Sequence, residues 1–335
     1  MNASQLQNFL HQGGGDAGGS DVTLTSPLLM PTRSRLLNCT LRGVGIPFAL
    51  VAGDDSTPLT GLHIADVEVY DAGVHLQWCG DSFVERVRIY GPPDVGLKIV
   101  RGYEVHVRGV KVRDGLGVGI LIDGVGNDQY LSECRVVGGT VGVELRRTGA
   151  AWLDAVGTSF CTTGLKVGYG DEHAEFIFTS RCAFDEGGGN GVLLGPKCRS
   201  FYSTGDWASS NALCGVLVEG ASDCRFSGMR LYNNLRHGMQ LTGADFGVDG
   251  CTFSGNGSSD SPNFHGLTVG NAQNVRVTGC RSGQVAQFGT HQGYGMYVAS
   301  TFAKVLAVGN DWQTNITGGR YFAPGAQVVE CGNVP

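Results

Sequence analysis

The chain has 335 residues, of which 41% are hydrophobic, 16% are charged and 55 are glycine. That apolar content argues against a disordered chain. A net charge of −6 argues against nucleic acid or an anionic membrane surface as a partner, since both call for a basic face.

The opening "MNASQLQNFLHQ" lacks the basic start and apolar core of a secretory signal. It predicts a short helix from Ala3 to about Gln12, with Leu6, Phe9 and Leu10 on one face and glycines ending it. "DVTLTSPLLMP" follows as the first strands. Residues 1–45 read as an N-terminal cap, which a solenoid needs because its end exposes unpaired strand edge. No stretch approaches the roughly 20 apolar residues of a membrane span.

Residues 46–335 carry a repeat. Glycine followed by apolar, any residue, apolar occurs as "GVHL" at Gly73, "GLKI" at Gly96, "GILI" at Gly119, "GVEL" at Gly142 and "GLKV" at Gly164. It continues as "GVLL" at Gly191, "GVLV" at Gly215, "GMQL" at Gly238, "GLTV" at Gly266 and "GMYV" at Gly295, with "GRYF" at Gly319 as a last member. The starts lie 22 to 29 residues apart. Alternating runs such as "FVERVRI" from Phe83 and "VHVRGVKV" from Val105 interleave with them. The period is too short for a propeller blade, and helix-period spacing is missing. The pattern predicts an all-β fold: a right-handed parallel β-helix of roughly a dozen coils, with longer loops around 168–191, 254–266 and 282–295.

Side-chain alternation sends the two apolar residues of each repeat inward and the residue between them outward. The outward column runs His75, Lys98, Leu121, Glu144, Lys166, Leu193, Leu217, Gln240, Thr268 and Tyr297. Leu121, Leu193 and Leu217 in a solvated column predict cover by a loop or a neighbouring subunit. Cys134, Cys182, Cys251 and Cys280 share one inward phase, and the 11 cysteines read as reduced, buried, small hydrophobes.

A capping helix followed by "GΦxΦ" coils with "NNxxHG" and "SGN" turns resembles the pectin-lyase-like right-handed β-helix superfamily, over about residues 3 to 332. Within it the chain looks most like tailspikes and tail fibres of bacteriophages or phage-like particles. That resemblance implies a homotrimer made in the host cytoplasm, carried on the virion beside other tail proteins, that binds cell-surface polysaccharide. From the residues themselves, the charge and apolar pattern lead to no expected nucleic-acid partner or membrane insertion, and the sequence offers no cofactor or metal site: there are no CxxC pairs, and "DGVGND" at 123–128 lacks the repeated array of a calcium site. Polygalacturonase-like enzymes match badly: "NTD" and "RIK" are missing, and the nearest approach to "GHG" is "RHG" at Arg236–Gly238.

Loops on a rigid scaffold are where binding residues concentrate. Glycosidic hydrolysis needs two carboxylates, about 5–5.5 Å or about 6.5–9.5 Å apart. The candidates are Asp185 and Glu186 on one coil and Asp206 on the next, with Asp206 in the outward phase. Trp207 follows, its ring pointing inward unless the strand bulges. Turn formation and solubility account for such residues more readily than catalysis does. Arg230, Tyr232, Arg236 and His237 are candidate contacts to sugar hydroxyls or carboxylates. His237 and His265 each precede the glycine of a coil and stack as neighbours, with Tyr294 near the same edge and Gln240 and Tyr297 facing out.

Three functions are compatible with these features. One is a polysaccharide-binding spike, with or without depolymerase activity. The others are a free-standing hydrolase or lyase and a non-catalytic structural spike.

Overall fold

The computed structural model describes residues 1–169, 173–259, 262–283 and 291–334. The chain divides into two compact units, Met1–Cys161 and Thr162–Pro335. Each is a parallel β-solenoid: apart from one helix, the described elements are strands, and strands on successive coils pair in parallel.

The helix Ala3–His11 starts on a capping box. Asn2 accepts from the Gln5 backbone N–H at 2.9 Å, and Gln5 accepts in return from the Asn2 N–H at 2.9 Å. Leu6 and Leu10 are fully buried and Phe9 is half-buried, so the predicted apolar face is the one that packs. Strands Gly14–Leu24 and Leu28–Met30 follow. The helix is neither long nor apolar enough to cross a membrane, and neither is any other among the described residues.

In the first unit the "GΦxΦ" strands stack in register, with His75, Lys98, Leu121 and Glu144 aligned. Val74, Leu76, Leu97, Ile99, Ile120 and Val143 point into a closed apolar lumen at 1% exposure or less. Burying side chains of this size contributes about 1.5–3 kcal/mol each. A second outward column is aromatic: Phe83, His106, Tyr130 and Trp152 lie 4.7–5.0 Å apart, centroid to centroid, within 13° of parallel. Exposed ion pairs such as Arg86–Asp66 and Arg88–Glu68 link neighbouring coils and contribute little individually.

The second unit repeats this plan, and from Val216 the first two strands of a coil merge into one. Val216–Ser227, Met239–Asp249 and Leu267–Thr278 are single strands whose register shifts near their middle. A short strand then closes each coil, as in Trp207–Ser209, Arg230–Tyr232 and Thr252–Ser254.

The repeated glycine has a packing cause. A Cβ on Gly191, Gly215, Gly238 or Gly266 would stand 2.7–2.8 Å from the carbonyl oxygen of the next coil's glycine. Close approach of one backbone to the next is what forbids a side chain there. A second column is polar and buried. Asn211 donates to Asn234 at 2.9 Å, Asn234 to Asn256 at 2.9 Å, Asn256 to Gln292 at 2.9 Å and Gln292 to Asn315 at 2.6 Å. Asn211, Asn234 and Asn256 also cap the carbonyls of Phe184, Ala208 and Leu231. The ladder satisfies the backbone of a tight corner with stacked amides.

One expectation is corrected. Ten cysteines are buried as expected, but Cys331 is exposed, because it lies on the peripheral strand Gln327–Cys331, most of whose residues face solvent. Leu121 is only 4% exposed, so chain folding alone already covers it, whereas Leu193 and Leu217 are half-buried. Of the predicted long loops, residues 170–172, 260–261 and 284–290 lie outside the described residues.

Candidate functional site

The sequence-derived candidates fall on two different strand stacks of the second unit. Asp185, Ser209, Tyr232 and Ser254 form one in-register column on the short closing strands. Ser209 donates to the Asp185 carboxylate at 2.6 Å, and the indole N–H of Trp207 donates to the Ser209 hydroxyl. Glu186 is exposed, with φ +53°. Arg230 is exposed beside Trp207 in register.

Asp206 is not on that surface. It is fully buried, and its carboxylate accepts from the Cys182 backbone N–H at 2.7 Å, from Ser203 Oγ at 2.6 Å and from the Thr179 hydroxyl. The expected outward phase is wrong, and with it the inward reading of Trp207. Trp207 is half-buried and meets Tyr232 edge-on at 5.3 Å, while Ala208 takes the lumen position. The reason is the corner before the strand: it carries Asp206 inward to hold a backbone N–H, and alternation restarts after it. Asn310 holds the Cys280 N–H in the same way at 2.8 Å. Asp206 therefore does not stand beside Asp185 and Glu186 as a second surface carboxylate.

The other stack brings its residues together. A cleft of about 560 Å³ is lined by His237, His265, Thr268, Tyr294, Tyr297 and Tyr321, among others. Thr268, Tyr297 and Tyr321 are consecutive partners in one outward column. His265 stacks on Tyr297 at 4.2 Å, and Tyr297 stacks on Tyr321 at 4.8 Å and 14°. Tyr294 meets His265 edge-on at 5.4 Å, and His237 lies 5.4 Å from His265. The expected stacking of His237, His265 and Tyr294 is present.

Both imidazoles are tied to the backbone. The His265 N–H donates to His237 Nδ1 at 3.0 Å, and the Thr268 hydroxyl lies 2.8 Å from the same nitrogen. The Tyr294 N–H donates to His265 Nδ1 at 3.3 Å. A backbone N–H can only donate, so each Nδ1 is unprotonated and each ring carries its hydrogen on Nε2. Burial first, then the nearby His265 and Arg236, push His237 down to about 3. Burial pushes His265 down to about 4.

Arg236 and Gln240 stand outside the lining. Arg236 is exposed, with its guanidinium 5.7 Å from the Phe264 ring, and Phe264 in turn meets His237 edge-on at 5.0 Å. Gln240 is half-buried, one rung before Thr268. Tyr321 was missed from sequence, although it is the outward residue of "GRYF" and extends the same column. Phe264 was missed because its loop position follows no repeat phase.

Residues 164–329 match the family model described as a right handed β-helix region. No curated protein sequence matches the chain. Among solved structures, tailspike protein 3 of bacteriophage CBA120 superposes with a TM-score of 0.75 at 13% identity, over 98% of this chain and 58% of that one. This chain thus spans little more than half the length of that tailspike. The A-module of a mannuronan C-5 epimerase from Azotobacter vinelandii superposes with a TM-score of 0.62 at 12% identity, over 97% of this chain and 95% of that one. The catalytic domain of a GH87 α-1,3-glucanase superposes with a TM-score of 0.51 at 10% identity, over 98% of this chain and 67% of that one. At these identities the likeness is one of fold.

Proposed function

We propose that the chain binds polysaccharide through the His265–Tyr297–Tyr321 cleft, as the receptor-binding part of a spike or fibre on a phage or phage-like particle. The observation that carries the reading is the cleft itself: a groove lined by stacked rings and hydroxyl-bearing side chains on a solenoid. Such a surface pairs apolar contact with fixed hydrogen-bonding groups, which is what a carbohydrate ligand requires. The tailspike likeness supports the particle context, and the epimerase and glucanase likenesses support a polysaccharide ligand. On this reading the chain works as a homotrimer bound to other tail proteins.

Binding to an array of bacterial surface polysaccharides tests the proposal. Retention of at least one glycan, weakened in Tyr297→Ala, supports it; no retained glycan sinks it. A trimer by light scattering supports the particle context, and a monomer counts against it.

A depolymerase reading is the second possibility, supported by Asp185 and Glu186 on the neighbouring stack beside Trp207, Arg230 and Tyr232. Release of reducing ends or unsaturated uronates from the bound glycan tests it.

A further inference from the structure

We infer that the cleft takes a neutral glycan, one carrying no carboxylate, sulfate, phosphate or free amine; this rests on the polysaccharide reading above. Among the described residues the lining is imidazole, phenol, hydroxyl, amide, proline and alanine, with no Asp, Glu, Lys or Arg. The two histidines do not supply the missing charge. Backbone N–H groups occupy both Nδ1 atoms, which fixes each ring as the neutral tautomer and leaves Nε2–H as its donor. Arg236, next to His237 in the chain, sits outside the lining against Phe264.

An anionic sugar entering this groove would shed part of its hydration and find no countercharge among the described lining residues, which costs more than the neutral donors return. A cationic sugar finds no carboxylate among the described lining residues. A neutral sugar meets a matched surface. Its ring and hydroxyl oxygens accept from imidazole N–H and phenol O–H, and its C–H groups lie against ring edges, Pro262 and Ala299.

The experiment uses the full chain on an array of purified bacterial capsular and O-antigen polysaccharides, sorted into neutral and acidic by composition. The strongest binder is then titrated by calorimetry at about 50 mM and about 500 mM NaCl, where exposed charge pairs differ strongly in screening. Expected is a neutral binder whose Kd changes less than about twofold with salt and rises about tenfold or more in Tyr321→Ala, an exposed position whose truncation spares the core. An acidic binder whose affinity falls more than about tenfold with salt overturns the inference and leaves the polysaccharide reading standing. A neutral binder indifferent to both Tyr321→Ala and Tyr297→Ala binds elsewhere and also overturns it. Binding of nothing on the array overturns both.

Discussion

The buried carboxylate of Asp206 accepts the backbone N–H of Cys182 at 2.7 Å, and Asn310 does the same for Cys280 at 2.8 Å. An acid and an amide thus perform one task at corresponding corners of different coils. In each case a side chain completes a hydrogen bond that the turning backbone cannot make for itself.

That equivalence predicts the outcome of substitution. Asp206→Ala leaves the Cys182 N–H and two hydroxyls without an acceptor, and costs about 3 kcal/mol or more, since each buried orphan costs about 1–3 kcal/mol. Asp206→Asn keeps an acceptor for the N–H and loses less. Urea unfolding measures both. Equal losses would show that charge, not geometry, is what the corner needs.

Gly238→Ala destabilises by about 1–3 kcal/mol, the usual cost of forcing a methyl into a filled space. The new Cβ would stand 2.7 Å from the Gly266 carbonyl oxygen and 2.9 Å from the Asn256 amide. A variant with an unchanged unfolding midpoint would refute the close-approach account of the repeat.

Stability falls below neutral pH because of the two cleft histidines. Their folded pKa values, about 3 and about 4, lie below the ordinary 6.5, so the unfolded chain binds protons that the folded one refuses. Stability is full above about pH 6.5 and is lost as pH drops toward those folded values. Unfolding free energies measured down that range should show the slope, and His237→Gln should reduce it. Glycan binding should stay flat from about pH 8 to about pH 5, where both rings remain neutral.

Ellman titration of the native protein should count one thiol, Cys331, and eleven after denaturation. Burial raises the thiols of Cys39, Cys79 and Cys134 to about 12, which removes the reactive thiolate as well as access. Rapid modification of several thiols in the native state would contradict the buried column.

Much of this molecule was legible in the order of its residues. Spacing of "GΦxΦ" identified the solenoid, because each coil must return an identical phase to the same lumen. The same phase puts His237, His265, Tyr294 and Tyr297 along one edge, since residues at equal phase stack. Cap and core followed from local rules that act over a few residues.

Tertiary structure decided what happens where phase is interrupted. Corners do not alternate, so the direction of Asp206 and Trp207 could not be read from period-two counting. Nor could sequence show that His265 and Tyr297 pack at 4.2 Å, or that a backbone N–H holds each imidazole neutral. Periodicity determines which residues share a column. Only the packing of successive coils determines which of them meet, how deeply they are buried, and therefore what charge they carry.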